Sequence, residues 1–124
     1  MELNYTVHDT HLLVRASGDY EPSRAFEVIE NILKHCRAGG IDRVLIDGLD
    51  LCGSPSVGHR FALGERGAEA LGGAFRIAVV TPPDIHLPSK ILQNTANNRG
   101  GNVFSTTDMA EACAFLGIEC PQRS

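Results

Sequence analysis

Apolar residues along this chain switch between a spacing of two and a spacing of three to four, and the switches mark out its elements. In NYTVHDTHLLVRASG, Tyr5, Val7, Leu13 and Val14 are strand formers on either side of a polar break at Asp9 and Thr10, the pattern of an antiparallel hairpin. Pro22 suits the first turn of a helix, where its missing N–H costs nothing. Ala25, Phe26, Ile29, Ile32, Leu33 and Cys36 then recur at helical spacing until Gly39 and Gly40 stop the run. Lys34, His35 and Arg37 occupy the last turn, where the helix dipole favours positive charge. In RVLIDG, Val44, Leu45 and Ile46 run without alternation, as in a central strand covered on both faces, and Asp47 stands at its carboxyl end. From Val57 the spacing predicts a second helix with Phe61, Gly64, Ala68 and Leu71 inward and Glu65, Arg66 and Glu69 facing water.

FRIAVVT repeats the buried-strand character, and PPDIHLP reads as a rigid loop because each proline restricts the residue before it. SKILQNTANNRGG predicts a third helix, with Ile91, Leu92, Thr95 and Ala96 inward and Gly100 as its stop, and NVFS a short last strand. TDMAEACAFLGIE closes the chain as a fourth helix, in which Asp108 and Glu111 have capping-box spacing, Met109, Ala112, Cys113 and Leu116 form the apolar stripe and Gly117 ends the run. The expectation is an α/β fold over residues 1–118, a hairpin followed by repeated helix–strand units that build a mostly parallel sheet of about five strands with four helices, and a mobile tail at 119–124.

A length of 124 residues and a hydrophobic fraction of 43% suffice for one packed core without metal or disulfides. The net charge of −4 argues against a broad surface for nucleic acid or anionic membrane, which call for clustered Lys and Arg. No apolar run approaches a membrane span and MELNYTVHD lacks the regions of a signal peptide, so a cytosolic protein is expected. The four cysteines, Cys36, Cys52, Cys113 and Cys120, form no C-x-x-C pair and predict free thiols, with Cys36 and Cys113 buried on helix faces. Neither a cofactor nor a metal site is expected.

The order of elements, with Asp47 closing a central strand and serines opening the next helix, resembles the STAS domain, the fold of bacterial anti-sigma-factor antagonists. More narrowly, GDYEP, VLIDGLDL, HRFALGERG, FRIAVV, NNRGGNVFS and DMAEACAFLG resemble the SpoIIAA-like branch, a fold related to lipid-transfer CRAL-TRIO domains. In phospho-regulated members a loop of Asp-Ser-Ser-Gly type follows this strand, and a partner kinase phosphorylates its serine. The corresponding stretch here is DGLDLCGSPSVG, longer and reordered, in which Ser54 and Ser56 are the serines available to align.

The candidate interaction or phosphorylation loop therefore comprises Asp47, Cys52, Ser54, Ser56, His59 and Arg60. Read from the residues alone, Ser54 and Pro55 suit the N-cap and first position of the second helix, with Ser56 just inside. Phosphate on either serine would add about −1.5 to −2 charge at a helix start. Asp47 serves either as a ligand-facing carboxylate at a strand end or as an acceptor for the backbone of its own loop. Cys52, His59 and Asp47 together raise a hydrolase or thiol-enzyme reading, but no catalytic motif accompanies them. Arg60, Arg76, Arg99, His86 and Lys90 would surround an anion if their loops converged, and otherwise lie dispersed on a solvated face. NNRGG lacks the Lys-Ser/Thr pair of a phosphate loop. The leading expectation is a non-catalytic regulatory module that binds a protein partner, a regulatory kinase or anti-sigma-like protein, through the loop from Asp47 to Gly58 and the exposed side of the next helix. The alternative is a carrier or sensor of a small anionic or lipid-like ligand, which calls for an enclosed apolar cavity of about 300 Å3 or more. A two-fold homodimer through a helix or sheet edge is also expected.

Overall fold

The computed structural model describes residues 1–53 and 56–119, apart from the side chains of 57, 84–89 and 92. The chain runs β1 (Glu2–Val7), β2 (Leu12–Asp19), α1 (Pro22–Gly39), β3 (Arg43–Cys52), α2 (Val57–Leu71), a 3-10 turn at Gly72–Ala74, β4 (Arg76–Val80), α3 (Pro83–Asn98), β5 (Val103–Thr106) and α4 (Met109–Leu116). The expected hairpin pairs β1 antiparallel to β2, and β2, β3, β4 and β5 then follow in parallel, so spatial order equals chain order. A parallel series that always steps the same way places its right-handed crossovers on one face of the sheet.

Side-chain alternation along β3 separates two cores. Val44 joins Leu12, Val14, Ile32, Cys36, Leu71 and Ile77 beneath α1 and α2. Leu45 joins Leu13, Ala78, Val80, Ala112, Cys113 and Leu116 beneath α4. Both faces of the central strand are thus covered, which accounts for the unbroken aliphatic run.

β3 does not end at Asp47. Asp47 is the last residue to pair with β4, opposite Val80, and the strand then continues to Cys52 on β2 alone, after a register shift. Gly48 and Asp50 are poor strand formers, so local propensity stops the strand early while the ladder to β2 extends it. Gly48 sits where space is short: a Cβ there would stand 3.0 Å from a Leu51 methyl and 3.1 Å from the Val80 carbonyl, so these neighbours would have to give by a few tenths of an ångström.

PPDIHLP is not a loop but the opening of α3, with Pro82 at the N-cap and Pro83 in the first turn, where proline is tolerated. In α2 the inward side carries Arg60, Gly64, Ala68 and Leu71, and Phe61 points outward at 47% exposure, against the expected stripe. One residue of helical phase separates these readings, and burial of the Arg60 stem decides it. At α4, Asp108 caps by accepting from the Ala110 N–H at 2.8 Å. Glu111 does not close a capping box. It accepts from the Thr106 hydroxyl at 2.9 Å, which itself accepts from the Asp108 N–H at 3.1 Å.

The two margins of the sheet differ. Along β5 the outer backbone is occupied by side chains from α3: Asn97 donates to the Val103 carbonyl at 3.0 Å and accepts from its N–H at 2.8 Å. Gln93 accepts from the Ser105 N–H at 2.8 Å, and Lys90 donates to the Ser105 carbonyl at 2.6 Å. β1 forms the other margin.

Candidate functional site

Parallel strands deliver their following loops to one edge of a sheet. The segment after β2 and the segment after β3 therefore meet, and the Tyr20 N–H donates to the Cys52 carbonyl at 2.9 Å. Cys52 and Gly53 are exposed there, with Gly53 at φ 95°, a backbone conformation that favours glycine. Ser54, with Pro55, lies outside the described residues. Ser56 rather than Ser54 is the N-cap of α2: its hydroxyl oxygen accepts from the His59 N–H at 3.1 Å. Helical geometry begins at Val57, two residues after the expected proline start.

His59 is held on this rim by two aromatic neighbours. Its Nε2 shares a hydrogen bond with the Tyr20 hydroxyl at 2.5 Å, and its ring meets the Phe26 ring edge-on at 5.1 Å. The Arg66 guanidinium, exposed as expected, lies 4.8 Å from the Phe26 centroid and caps that aromatic face. Burial, then the neighbouring Arg60 charge, lowers the His59 pKa, while burial pushes the Tyr20 hydroxyl up to about 12. Both groups are uncharged at neutral pH.

Arg60 is only 3% exposed, and burial lowers its pKa while Tyr20 opposes the shift. It lines an apolar cavity of about 130 Å3 together with Tyr20, Leu51, Leu63 and Thr81. A second apolar cavity of about 90 Å3, reaching Ile32, Leu71 and Val103, adjoins it along Ala25, Val28, Ile46 and Val79. Neither reaches the roughly 300 Å3 of a small-molecule pocket. A hollow of about 300 Å3 beside Phe26, Glu30, Arg66 and Glu69 is an open groove between α1 and α2.

Asp47 belongs to the other face. It has the phase of Leu45, pairs with Val80 and sits beside Arg15, all on the α4 side. The carboxylate is 3% exposed; Oδ1 accepts from the Leu49 N–H at 3.2 Å, and Oδ2 lies 3.5 Å from Arg15 Nε. This is the loop-bracing use of an aspartate, reinforced by an ion pair. The thiol-enzyme set therefore does not converge: Cys52 is exposed at the strand end, His59 is engaged by Tyr20 and Phe26 on the α1–α2 side, and Asp47 faces α4. The basic side chains do not converge either. Arg60 is buried rather than solvated, Arg99 pairs with Glu65 at 3.4 Å, Arg76 donates to the Phe115 carbonyl at 3.4 Å, Lys90 serves the β5 backbone, and the His86 side chain is outside those described.

Cys36 and Cys113 are buried free thiols as expected, and burial raises the Cys36 pKa; Cys120 and the rest of the tail lie outside the described residues. Among the described residues no three His, Cys, Asp or Glu side chains are grouped to hold a metal ion, and no helix is long and apolar enough to cross a membrane. Tyr20 and Arg15 are the site residues that motif reading missed. Tyr20 was legible in principle, since the loop after β2 must share an edge with the loop after β3. Arg15 was not, because its place beside Asp47 depends on strand register.

No family model and no curated protein matches the chain. Solved structures do. An anti-sigma factor antagonist from Mycobacterium paratuberculosis superposes with a TM-score of 0.62 at 16% identity, covering 94% of this chain and 93% of that one. The anti-sigma factor antagonist SpoIIAA in its unphosphorylated form gives a TM-score of 0.56 at 16% identity, over 95% of this chain and 99% of that one. A five-stranded, mostly parallel sheet with three crossover helices on one face and a closing helix on the other, matched nearly end to end by these two proteins, gives the chain the SpoIIAA-like fold of the STAS type.

Proposed function

We propose that the chain is a non-catalytic regulatory module that binds a protein partner through the rim after β3 and the outward side of α2, acting in the cytosol as a homodimer. One observation carries the reading: Phe61, a large aromatic side chain, stands 47% exposed one turn into α2, beside exposed Gly58 and the N-cap Ser56. Exposed aromatics on a rigid helix are the usual anchors of protein interfaces. The two solved structures compared above are named as anti-sigma factor antagonists, so the partner favoured here is an anti-sigma-like protein or regulatory kinase.

Ser56 is the residue through which such binding would be switched. Its oxygen already serves the helix start, and a phosphate there would place about −1.5 to −2 charge where the helix dipole favours it. The helix would survive while the surface offered to a partner reversed its character. The cavities do not favour the ligand-carrier alternative.

Titration calorimetry against an anti-sigma-type kinase tests the reading. Phe61→Ala is expected to weaken binding about tenfold or more with the thermal midpoint unchanged. Binding that is indifferent to both Phe61→Ala and Ser56→Asp overturns the assignment of this surface.

A further inference from the structure

We infer that β1 is the dimer interface, and that two copies pair β1 against β1 antiparallel about a two-fold axis at Tyr5, making one continuous ten-stranded sheet from two five-stranded ones. The inference rests on the homodimer reading above and places its contact.

The direction of the backbone groups comes first. The His8 N–H donates to the His11 carbonyl at 2.9 Å at the mouth of the hairpin, and the register runs without a break from Val7↔Leu12 to Glu2↔Ser17. In an antiparallel ladder, hydrogen-bonded and non-hydrogen-bonded pairs alternate. His8 therefore begins a bonded series with Thr6, Asn4 and Glu2, and the N–H and C=O groups of Leu3, Tyr5 and Val7 point away from β2 toward the open margin.

Only one two-fold register uses all three of these residues. Tyr5 faces Tyr5 of the second copy, and Leu3 faces Val7 on either side, so every outward donor and acceptor of the strand meets its complement. The same register sets Asn4 against Thr6 and Glu2 against His8, with no like charges opposed. It also lays Leu3 of one copy against Val7 of the other. Val7 is 50% exposed, one of two large apolar side chains exposed among the described residues, and Phe61 belongs to the partner surface already assigned.

The contrast with the opposite margin argues that this openness is kept. Native sheets blunt free edges with prolines, lysines, bulges or covering side chains. β5 is covered along both of its outward residues by Asn97, Gln93 and Lys90. β1, ELNYTV, carries no proline, glycine or lysine and pairs with β2 without a bulge. Self-complementarity in backbone phase, in apolar contact and in charge selects a second copy as the occupant, over a strand from an unrelated chain.

Two measurements on the full chain test this. Sedimentation equilibrium from about 10 µM to 1 mM, a range suited to so narrow an interface, is expected to reach twice the 13.3 kDa chain mass. Val7→Pro removes one outward N–H per copy at a side chain already half in solvent. It is expected to raise the dissociation constant about 30-fold, corresponding to two hydrogen bonds at about 1 kcal/mol each. Amide hydrogen exchange supplies the location: the Leu3, Tyr5 and Val7 amides slow as concentration rises, while the amides of Val103 and Ser105 do not change. A chain monomeric at 1 mM overturns both the homodimer and its placement. A dimer whose Leu3, Tyr5 and Val7 amides stay fast, or which Val7→Pro leaves intact, keeps the homodimer and overturns β1 as its interface.

Discussion

Ser56→Ala, set beside Ser56→Asp, separates what the Ser56 hydroxyl does for the fold from what it offers a partner. The hydroxyl accepts from the His59 N–H at 3.1 Å, and that bond is solvent-exposed. Loss of a serine cap costs about 0.5–2 kcal/mol, and exposure puts this one at the lower end, about 0.5–1 kcal/mol, because water takes over part of the bond. An unfolding entropy of about 2.1 cal/mol/K per residue over 124 residues amounts to about 0.26 kcal/mol/K, so the midpoint should fall about 2–4 °C. Aspartate at the same position keeps an acceptor in place and adds a charge the dipole favours, so Ser56→Asp should match or exceed the wild type. Urea melts with a common slope, read together with thermal scans, measure both variants. A Ser56→Asp protein destabilised as much as Ser56→Ala, or a Ser56→Ala protein indistinguishable from wild type, would refute the cap. It would also remove the ground for expecting the helix to survive a phosphate there.

Acid is expected to destabilise the protein through buried His11 and half-buried His59. Burial and His8 lower the His11 pKa, and burial and Arg60 lower that of His59, so below the unfolded value near 6.5 the unfolded chain holds more protons than the folded one. Stability is complete above about pH 6.5 and declines as pH falls toward the lowered folded values; His11→Gln with His59→Gln should flatten urea midpoints over that window, and an unchanged slope would contradict the assignment. Asn97→Ala removes both side-chain bonds to Val103 and should cost about 1–2 kcal/mol, with faster exchange of the Val103 amide and concentration-dependent species larger than a dimer in gel filtration. Retention of the wild-type elution profile would show that Asn97 does not guard that edge.

The architecture was legible where one signal dominated. An unbroken aliphatic run marked β3 as covered on both faces, and paired glycines closed α1 at Gly39, followed by Gly40 in the left-handed conformation. Reading failed where tertiary pairing overrode propensity: Gly48 and Asp50 hid the second half of β3, and the Pro82–Pro83 pair that opens α3 looked like a loop because an N-cap and a first turn do not need their N–H groups. The site was less legible than the fold. Charge suggested that Arg60 was exposed and aromaticity that Phe61 was buried, but one residue of helical phase reverses both, and apolar counting cannot see it when small residues fill the inner stripe. Asp47 was placed in the right strand, yet the face it takes follows from parity along β3, which separates it from His59.

The amides and ammonium that α3 lends to β5 do the job of a sixth strand without being one. A sheet with two bare sides can be lengthened copy after copy into a filament, whereas this one has a finished side and an unfinished one. Any growth by strand addition therefore ends after a single step, in a closed pair with α3 at both extremities.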